Sequence, residues 1–174
     1  MKTEPTATSG ERDHAAAFPF DRRNLALRFR AILPSTREAI CRGVEKVVDL
    51  ALSAGCLGAE AADVEIALRE ALANAVIHGN GCRPGKPVRL RCYGEAGEGL
   101  LIVVRDEGKG FDPETVPDPR DGVRRELPHG RGIFLMRMLM DRVEHRRGGR
   151  EVLLFKKYRA PARGRPARRR PAPE

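Results

Sequence analysis

A carboxylate and an amide are spaced one helical turn apart in the segment DVEIALREALANAVIHGN, residues 63–80. The segment predicts a helix over 59–78, because apolar residues recur at helical spacing along one side of it. That apolar stripe consists of Val64, Leu68, Ala71, Leu72 and Ala75. Glu70 and Asn74 lie beside the stripe among apolar neighbours, where burying an unpaired polar group is costly. They therefore either hydrogen-bond within the fold or line a cleft and contact a ligand, and the helix alone leaves both alternatives open.

A second group of residues that could do chemistry follows an apolar stretch. The segment RDEGKGFDP, residues 105–113, comes directly after the run 100–104, and within it Asp106 is followed by Gly108 and Gly110. A carboxylate at a strand end can accept a hydrogen bond from the exocyclic amino group of adenine, and glycines let the backbone approach a ligand closely. The alternative is an ordinary loop whose glycines adopt positive φ. The D-x-G-x-G pattern alone does not distinguish the two.

A third group of residues that could do chemistry precedes a predicted short helix. Gly130, Arg131 and Gly132 stand just before a predicted short helix over 133–140. Glycines at a helix start expose backbone N–H groups, and the helix dipole adds positive character, so this end is suited to phosphate. The alternative is a turn that binds nothing. The pattern is not a Walker A loop, because no G-K-[ST] follows, and it is not the G-x-G-x-x-G of dinucleotide-binding proteins.

The order of these motifs along the chain is more specific than any one of them. E-x-x-x-N on a helix, D-x-G-x-G at a strand end and G-x-G before a helix resemble the ATPase superfamily of gyrase, histidine kinases and MutL, whose ATP site is the Bergerat fold. More closely, EALANAVIHGN, VVRDEGKGFDP and HGRGIFLMR look like the anti-sigma-factor serine/threonine kinase branch of that superfamily. The resemblance covers about residues 21–158, and it implies that the chain binds ATP and Mg²⁺.

The resemblance assigns roles to the residues that match its motifs. Asn74 matches the asparagine that binds Mg²⁺, an ion that usually takes few protein oxygens besides phosphates and waters. Glu70 matches the glutamate proposed as general base, which would polarise an attacking hydroxyl. The other matches concern the nucleotide: Asp106 reads adenine, Gly108 and Gly110 shape the pocket, and Gly130, Arg131 and Gly132 face the phosphates from the end of the lid.

Two positions near these motifs bear on how well the site works. The family often places Thr after a late glycine pair, where it supports the adenine aspartate through water, whereas here Gly148 and Gly149 are followed by Arg150. This substitution predicts weaker adenine binding. His78 could contact phosphate, although a histidine at a helix end is also favoured by the helix dipole.

Strands on both sides of the motifs complete the predicted fold. Alternating apolar residues predict strands within 21–33 and over 88–92, and the run 100–104 is apolar on both faces, as in a central strand. The segments 142–146 and 151–157 predict a closing hairpin. Short connections between the strands favour a two-layer α/β sandwich, with a mostly antiparallel sheet and helices on one face.

The helix boundaries and the lid are predicted from local signals. Ser35 is expected to be the N-cap of a first helix, with Glu38 three positions later completing a capping box, and that helix stops near Gly55. Gly79 is expected to be the C-cap of the second helix. Residues 107–130 are rich in Gly, Pro and Asp, and a loop of that length is typical of a functional lid.

Composition indicates a single globular domain with two tails. Hydrophobic residues make up 41% of the chain and the net charge is +9, of which the six Arg and one Glu of residues 159–174 supply about five. We expect a flexible leader over 1–20, one domain over 21–158 and a disordered basic tail over 159–174. The tail is a candidate for binding nucleic acid or an acidic partner, whereas the domain lacks nucleic-acid-binding motifs.

The cysteines and the hydropathy point to the cytoplasm. The four cysteines stand singly, without the C-x-x-C pairs of zinc sites, and we expect each to be a small buried residue. The chain has neither an apolar run of membrane-spanning length nor the apolar core of a signal peptide near its start. The expectation is a cytoplasmic protein with free thiols.

The resemblance favours a regulatory serine/threonine kinase. It implies phosphorylation of an anti-anti-sigma-like (STAS-type) protein and, in the free form, sequestration of a sigma factor or similar target. Homodimerisation is implied by the resemblance alone. The alternative is a non-catalytic ATP-gated protein-binding module of the same fold, whose partner is switched by lid closure. A detached histidine-kinase catalytic domain is disfavoured, because the first predicted helix contains no His that could accept a phosphate.

Overall fold

The computed structural model describes residues 26–112 and 131–160. The predicted leader over 1–20, the lid residues 113–130 and the tail beyond 160 lie outside the described residues. The predicted domain boundaries therefore stay predictions, and the fold is described from the two ranges that contain the site.

Five strands form one sheet in the described part of the chain. In chain order they are β1 (Leu27–Leu33), β2 (Val88–Glu95), β3 (Gly99–Arg105), β4 (Arg142–Arg146) and β5 (Glu151–Lys157). Their order across the sheet is β1-β2-β3-β5-β4, and every pairing is antiparallel. β3 is therefore central, as its apolar sequence on both faces predicts.

Helices form the second layer. They are α1 (Arg37–Ser53), α2 (Ala61–Ala73) and α3 (Arg131–Leu139), and α2 continues directly into a π-helical segment, Asn74–Gly79. The structure thus confirms a two-layer α/β sandwich with an antiparallel sheet and helices on one face. Within 26–112 and 131–160, no helix is long and apolar enough to cross a membrane.

The main core lies between the helices and the sheet. Leu68 and Leu72, from the predicted apolar stripe of α2, are fully buried in the same cluster as Leu90 of β2. Full burial of such a side chain stabilises a fold by about 1.5–3 kcal/mol, so the stripe fixes the rotation of α2 about its axis. That rotation determines which way Glu70 and Asn74 point.

The opposite face of the sheet carries a smaller buried cluster made of strand residues. Its members are Tyr93, Leu101, Val103, Leu153 and Phe155. Alternate residues of a strand point to opposite faces, so β3 and β5 are apolar on both sides. This two-sided burial gives the centre of the sheet a rigid base for the loops at its ends.

Two of the predicted helix caps differ in the structure, whereas the first helix ends at Ser53, near Gly55 as predicted. Thr36, not Ser35, is the N-cap of α1, and its hydroxyl accepts a hydrogen bond from the Ala39 N–H at 3.4 Å. The Ser35 hydroxyl is buried and donates to the Lys86 carbonyl at 2.5 Å, so it is not free to cap the helix. Gly79 is not a left-handed C-cap, because it ends the π-helical segment without a positive φ.

The cysteines divide into two pairs. Cys56 and Cys92 are buried as expected, and burial raises the pKa of both thiols. Cys41 and Cys82 are exposed, which contradicts the expectation for these two positions. Cys82 follows the π-helical segment in a surface turn with φ of 53°, and Cys41 lies on the outer side of α1.

A buried lysine ties together the two helices that border the candidate site. Lys156 of β5 is 3% exposed, and its Nζ donates to the Asp63 carboxylate of α2 at 2.8 Å. The same Nζ donates to the Leu139 carbonyl at the C-terminal end of α3, where the helix dipole also favours a cation. Lys156 therefore holds the end of α3 against the start of α2.

Replacing Lys156 by Ala tests this tie. The variant leaves Asp63 and the Leu139 carbonyl without their cationic donor, so we expect the free energy of unfolding to fall by about 1.5–3 kcal/mol in urea denaturation. Lys157→Ala is the matched control, because the Lys157 side chain is exposed and should contribute less than about 0.5 kcal/mol. Equal effects of the two substitutions would contradict the role given to Lys156.

Candidate functional site

A cavity of about 420 Å³ opens where α2, its π-helical extension and α3 meet the ends of β3 and β5. Six of the predicted site residues line it: Glu70, Asn74, Asp106, Gly110, Arg131 and Gly132. Gly108 is adjacent to the cavity, because its N–H donates to the side chain of Asp106. Gly130 lies outside the described residues. Residues from three separate motifs therefore meet in one cleft.

Glu70 and Asn74 form a polar end of the cavity together with the start of α3. A Cβ placed on Gly132 would lie 2.7 Å from Glu70 Oε2 and 3.5 Å from Asn74 Nδ2. Because Gly132 has no side chain, the first turn of α3 can come this close to both polar groups. Of the two alternatives left by the helix pattern, the structure supports the one in which Glu70 and Asn74 line a cleft.

The donor chemistry of the polar end fits a magnesium ion. Mg²⁺ prefers oxygen ligands and is usually bound through one or two protein groups plus phosphates and waters. The Asn74 amide and the Glu70 carboxylate supply oxygens of this kind at the cavity. No group of three or more His, Cys, Asp or Glu within 26–112 and 131–160 could hold a metal by itself. Any ion here would therefore take its remaining ligands from phosphates and water.

The start of α3 provides a positively charged border. Arg131, Gly132 and Ile133 open this helix and all three line the cavity. The first N–H groups of a helix have no partner within the helix and carry the positive end of its dipole. Arg131 is exposed and adds a cationic side chain. This border is suited to the phosphates of a nucleotide.

A buried carboxylate lies at another end of the cavity. Asp106 follows β3 directly, is 8% exposed, and accepts the Gly108 N–H on Oδ1 at 2.7 Å. Its own N–H donates to the Arg150 carbonyl at 3.0 Å, which extends the β3–β5 pairing by one residue. Burial raises the pKa of Asp106 above its usual value, and the Gly108 N–H opposes this shift. The ionised carboxylate can accept a hydrogen bond from an amino group in the cavity.

Two glycines make room for this carboxylate. A Cβ on Gly79 would lie 2.5 Å from Asp106 Cγ, and a Cβ on Gly108 would lie 2.1 Å from the Gly79 carbonyl oxygen. The end of the π-helical segment and the loop after β3 are therefore in direct backbone contact. Gly79 ends the helical segment, as the sequence predicts, and its lack of a side chain also permits this close approach.

Arg150 occupies the position after the late glycine pair. It lines the cavity, and its Nε donates to the Arg147 carbonyl at 3.0 Å. Its charge lowers the pKa of Asp106, an effect smaller than that of burial. A guanidinium can donate hydrogen bonds but cannot accept them, so it cannot play both roles of a threonine hydroxyl. Weaker adenine binding stays a prediction.

Two aromatic side chains of the cavity are not among the predicted site residues. Phe111 follows Gly110 directly, and its ring lies 5.6 Å from the His145 ring in an edge-to-face arrangement. Burial, with a smaller effect of Arg137, lowers the pKa of His145, which favours the neutral form of this ring. Flat rings of this kind suit contact with a nucleobase. The position of Phe111 after the motif could have indicated it, whereas β4–β5 pairing alone brings His145 here.

Glu70 and Asn74 lie near the point where the second helix changes from α-helical to π-helical winding. Residues 59–78 were predicted as one α-helix, but the α-helix ends at Ala73 and Asn74–Gly79 is π-helical. The Asn80 N–H accordingly donates to the Ala75 carbonyl, five residues earlier, at 2.8 Å. π-helical turns are rare and occur frequently at functional sites. Here the wider turn is the part of the helix that meets Asp106.

Comparison with known proteins agrees with this geometry. A family model described as histidine kinase-like ATPase domain matches residues 33–156, a span that includes every cavity residue named above. The chain is also 34% identical over 107 residues to a protein named anti-sigma F factor from Clostridium novyi (strain NT). That match spans 58% of this chain and 73% of the other protein.

Gly79→Ala tests the close backbone contact. The added Cβ would collide with Asp106, so we expect ADP affinity to fall at least about tenfold and the free energy of unfolding to fall by about 1–3 kcal/mol. Gly85→Ala is the matched control, since a Cβ at Gly85 meets nothing within 4 Å. Calorimetric titration and urea denaturation measure the two quantities. If Gly79→Ala binds ADP as tightly as the wild type does, the contact between Gly79 and Asp106 does not shape a nucleotide site.

Asp106→Asn separates nucleotide binding from stability. A carboxyl whose pKa is higher in the folded than in the unfolded state stabilises the fold when protonated, and this contribution is lost as pH rises through the folded pKa. At pH 7 the ligand-free variant should therefore be at least as stable as wild type. Its ADP affinity should be about 10- to 100-fold lower, because a hydrogen bond to a charged acceptor is lost.

The same pKa shift predicts the pH dependence of the wild type. Asp106 takes up a proton at a higher pH than an exposed aspartate, so ADP affinity should decline as the solution becomes mildly acidic. Calorimetric titrations at several pH values measure this. In Asp106→Asn the decline should be smaller, because one of the titrating groups is gone, and an unchanged decline would assign it to another group, such as the phosphates of ADP.

Proposed function

This chain belongs to the histidine kinase-like ATPase family, and on that premise we propose that it is an ATP-dependent serine/threonine kinase acting as an anti-sigma-type regulatory switch. The observation that carries the proposal is the cavity, in which Glu70 and Asn74 adjoin the start of α3 while Asp106 lies at another wall. A base, a potential metal ligand, a phosphate-binding border and a nucleobase acceptor are thus available in one cleft.

In this proposal the nucleotide is bound by groups of matching chemistry. The Asp106 carboxylate accepts a hydrogen bond from the exocyclic amino group of adenine, and the Phe111 and His145 rings, which lie edge to face, contact the base. The phosphates lie at the start of α3, near Arg131 and Gly132. Mg²⁺, held by the Asn74 oxygen, would neutralise phosphate charge when bound.

Glu70 is assigned the role of general base in the transfer step. A serine or threonine hydroxyl of the protein substrate gives its proton to the Glu70 carboxylate as its oxygen bonds to the γ-phosphorus. The bond between that phosphorus and the β–γ bridging oxygen breaks, and ADP leaves. The first turn of α3 and Arg131 stabilise the negative charge during transfer.

The partners follow from the relative's name together with the resemblance of the motifs. The relative is named anti-sigma F factor, and we propose that this chain likewise binds a sigma factor or similar target and phosphorylates an anti-anti-sigma-like, STAS-type protein. Homodimerisation and a cytoplasmic location belong to the same proposal. The Arg-rich tail is a candidate for contacts with nucleic acid or an acidic partner.

Glu70→Gln tests the catalytic role. The amide cannot take up the hydroxyl proton, so phosphate transfer to a STAS-type protein substrate should fall by about 100-fold or more, while ADP affinity stays close to wild type. Labelled ATP measures transfer and calorimetry measures binding. Glu65→Gln is the matched control, because Glu65 lies on the exposed side of the same helix and pairs with Arg69.

The outcomes separate the kinase from its alternative. Full activity of Glu70→Gln would exclude Glu70 as the base. Nucleotide binding by the wild type without transfer to any STAS-type protein would favour the non-catalytic ATP-gated binding module. If the wild type binds no nucleotide, both the kinase and the ATP-gated binding module are excluded.

A further inference from the structure

Asn80 forms a buried hydrogen-bonded cluster directly after the π-helical segment. It is 2% exposed, and its side chain uses both of its polar atoms. Nδ2 donates to the Ser35 hydroxyl at 2.9 Å, to the Lys86 carbonyl at 2.9 Å and to the Pro87 carbonyl at 3.2 Å. Oδ1 accepts the Glu107 N–H at 2.8 Å. One side chain thus joins the segments before α1, before β2 and after β3.

The bond to Glu107 reaches the site because of what lies on either side of it. Glu107 follows Asp106, and Asn80 follows Gly79, the residue whose Cα faces the Asp106 carboxylate. The hydrogen bond from Glu107 to Asn80 therefore closes a short loop of contacts around that carboxylate. Its effect is to hold the loop after β3 against the end of the π-helical segment.

Other contacts to Glu107 hold it less firmly. Arg89 pairs with the Glu107 carboxylate at 2.8 Å, but both side chains are more than a third exposed, and exposed ion pairs contribute little. The Lys86 Nζ donates to the Glu107 carbonyl at 3.2 Å, in an exposed contact. The bond to Asn80 is the one of these three that has a partner buried from water, where a lost partner is costly.

We propose that Asn80 is a positioning residue that sets the selectivity of the site for adenine. It acts through the Glu107 backbone on the placement of the Asp106 carboxylate, and so on the acceptor for the 6-amino group of the base. The inference rests on the adenine-reading role proposed for Asp106, but it does not depend on phosphate transfer.

The test compares ADP with inosine diphosphate, whose base carries oxygen in place of the 6-amino group. Calorimetric titration of Asn80→Ala should show ADP affinity reduced about five- to tenfold and inosine diphosphate affinity unchanged within about twofold, so that selectivity shrinks. In the Asp106→Asn background, Asn80→Ala should cause no further loss of ADP affinity, because the acceptor it positions is already gone.

Ser35→Ala is the matched control. It removes a buried hydroxyl from the same cluster but keeps the bond between Asn80 and Glu107, so it should lower stability and leave selectivity unchanged. Equal weakening of both nucleotides by Asn80→Ala would show a merely structural role and overturn the proposal. A selectivity loss in Ser35→Ala as large as in Asn80→Ala would also overturn it.

A measurement on the wild type covers the case in which Asn80→Ala does not fold. The Glu107 amide lies in a loop, so slow hydrogen exchange there, at least about 100-fold slower than in an unstructured chain, is expected only if the bond to Asn80 persists in solution. Fast exchange would overturn the proposal.

Equal wild-type affinity for both nucleotides would refute adenine reading by Asp106 and, with it, the role of Asn80. Absent phosphate transfer with intact selectivity would refute only the kinase.

Discussion

The site depends on one close contact, between the Asp106 carboxylate at the end of β3 and the backbone of Gly79 at the end of the π-helical segment. A Cβ on Gly79 would lie 2.5 Å from Asp106 Cγ, so only glycine at position 79 lets the carboxylate come this close to the backbone. The central position of β3 and the buried stripe of α2 hold both elements in place. The cavity is the space that remains between this contact and α3.

Much of the fold and part of the site follow from local sequence patterns. The central strand is recognisable because the run 100–104 is apolar on both faces, and the β4–β5 hairpin because its glycines separate two short strands. Glu70 and Asn74 could be paired from the sequence because helical spacing puts them on one side of α2. Their meeting with Asp106 and Gly132 depends on contacts between distant segments, and it was anticipated only through the order of the motifs along the chain.

The remaining features arise from competition that no local pattern reveals. Ser35 is a good N-cap residue, but a buried carbonyl of Lys86 takes its hydroxyl and Thr36 caps α1 instead. Gly79 is typical of a helix end, yet its lack of a side chain is also what lets Asp106 approach closely. The sequence assigns no role to Asn80 or His145, because their contacts are set by tertiary packing and by strand pairing. The change from α-helical to π-helical winding at Asn74 is also not predicted by any local pattern, since helix propensity does not indicate it.

The most direct test of the nucleotide site is a calorimetric titration of the wild-type chain with ADP, with and without Mg²⁺. We expect saturable binding of one nucleotide per chain that is markedly tighter with the ion, since Mg²⁺ held by the Asn74 oxygen would neutralise charge on the phosphates. No heat of binding at roughly 1 mM nucleotide would contradict it. The cavity around Asp106 would then belong to a fold that serves protein contacts without a nucleotide.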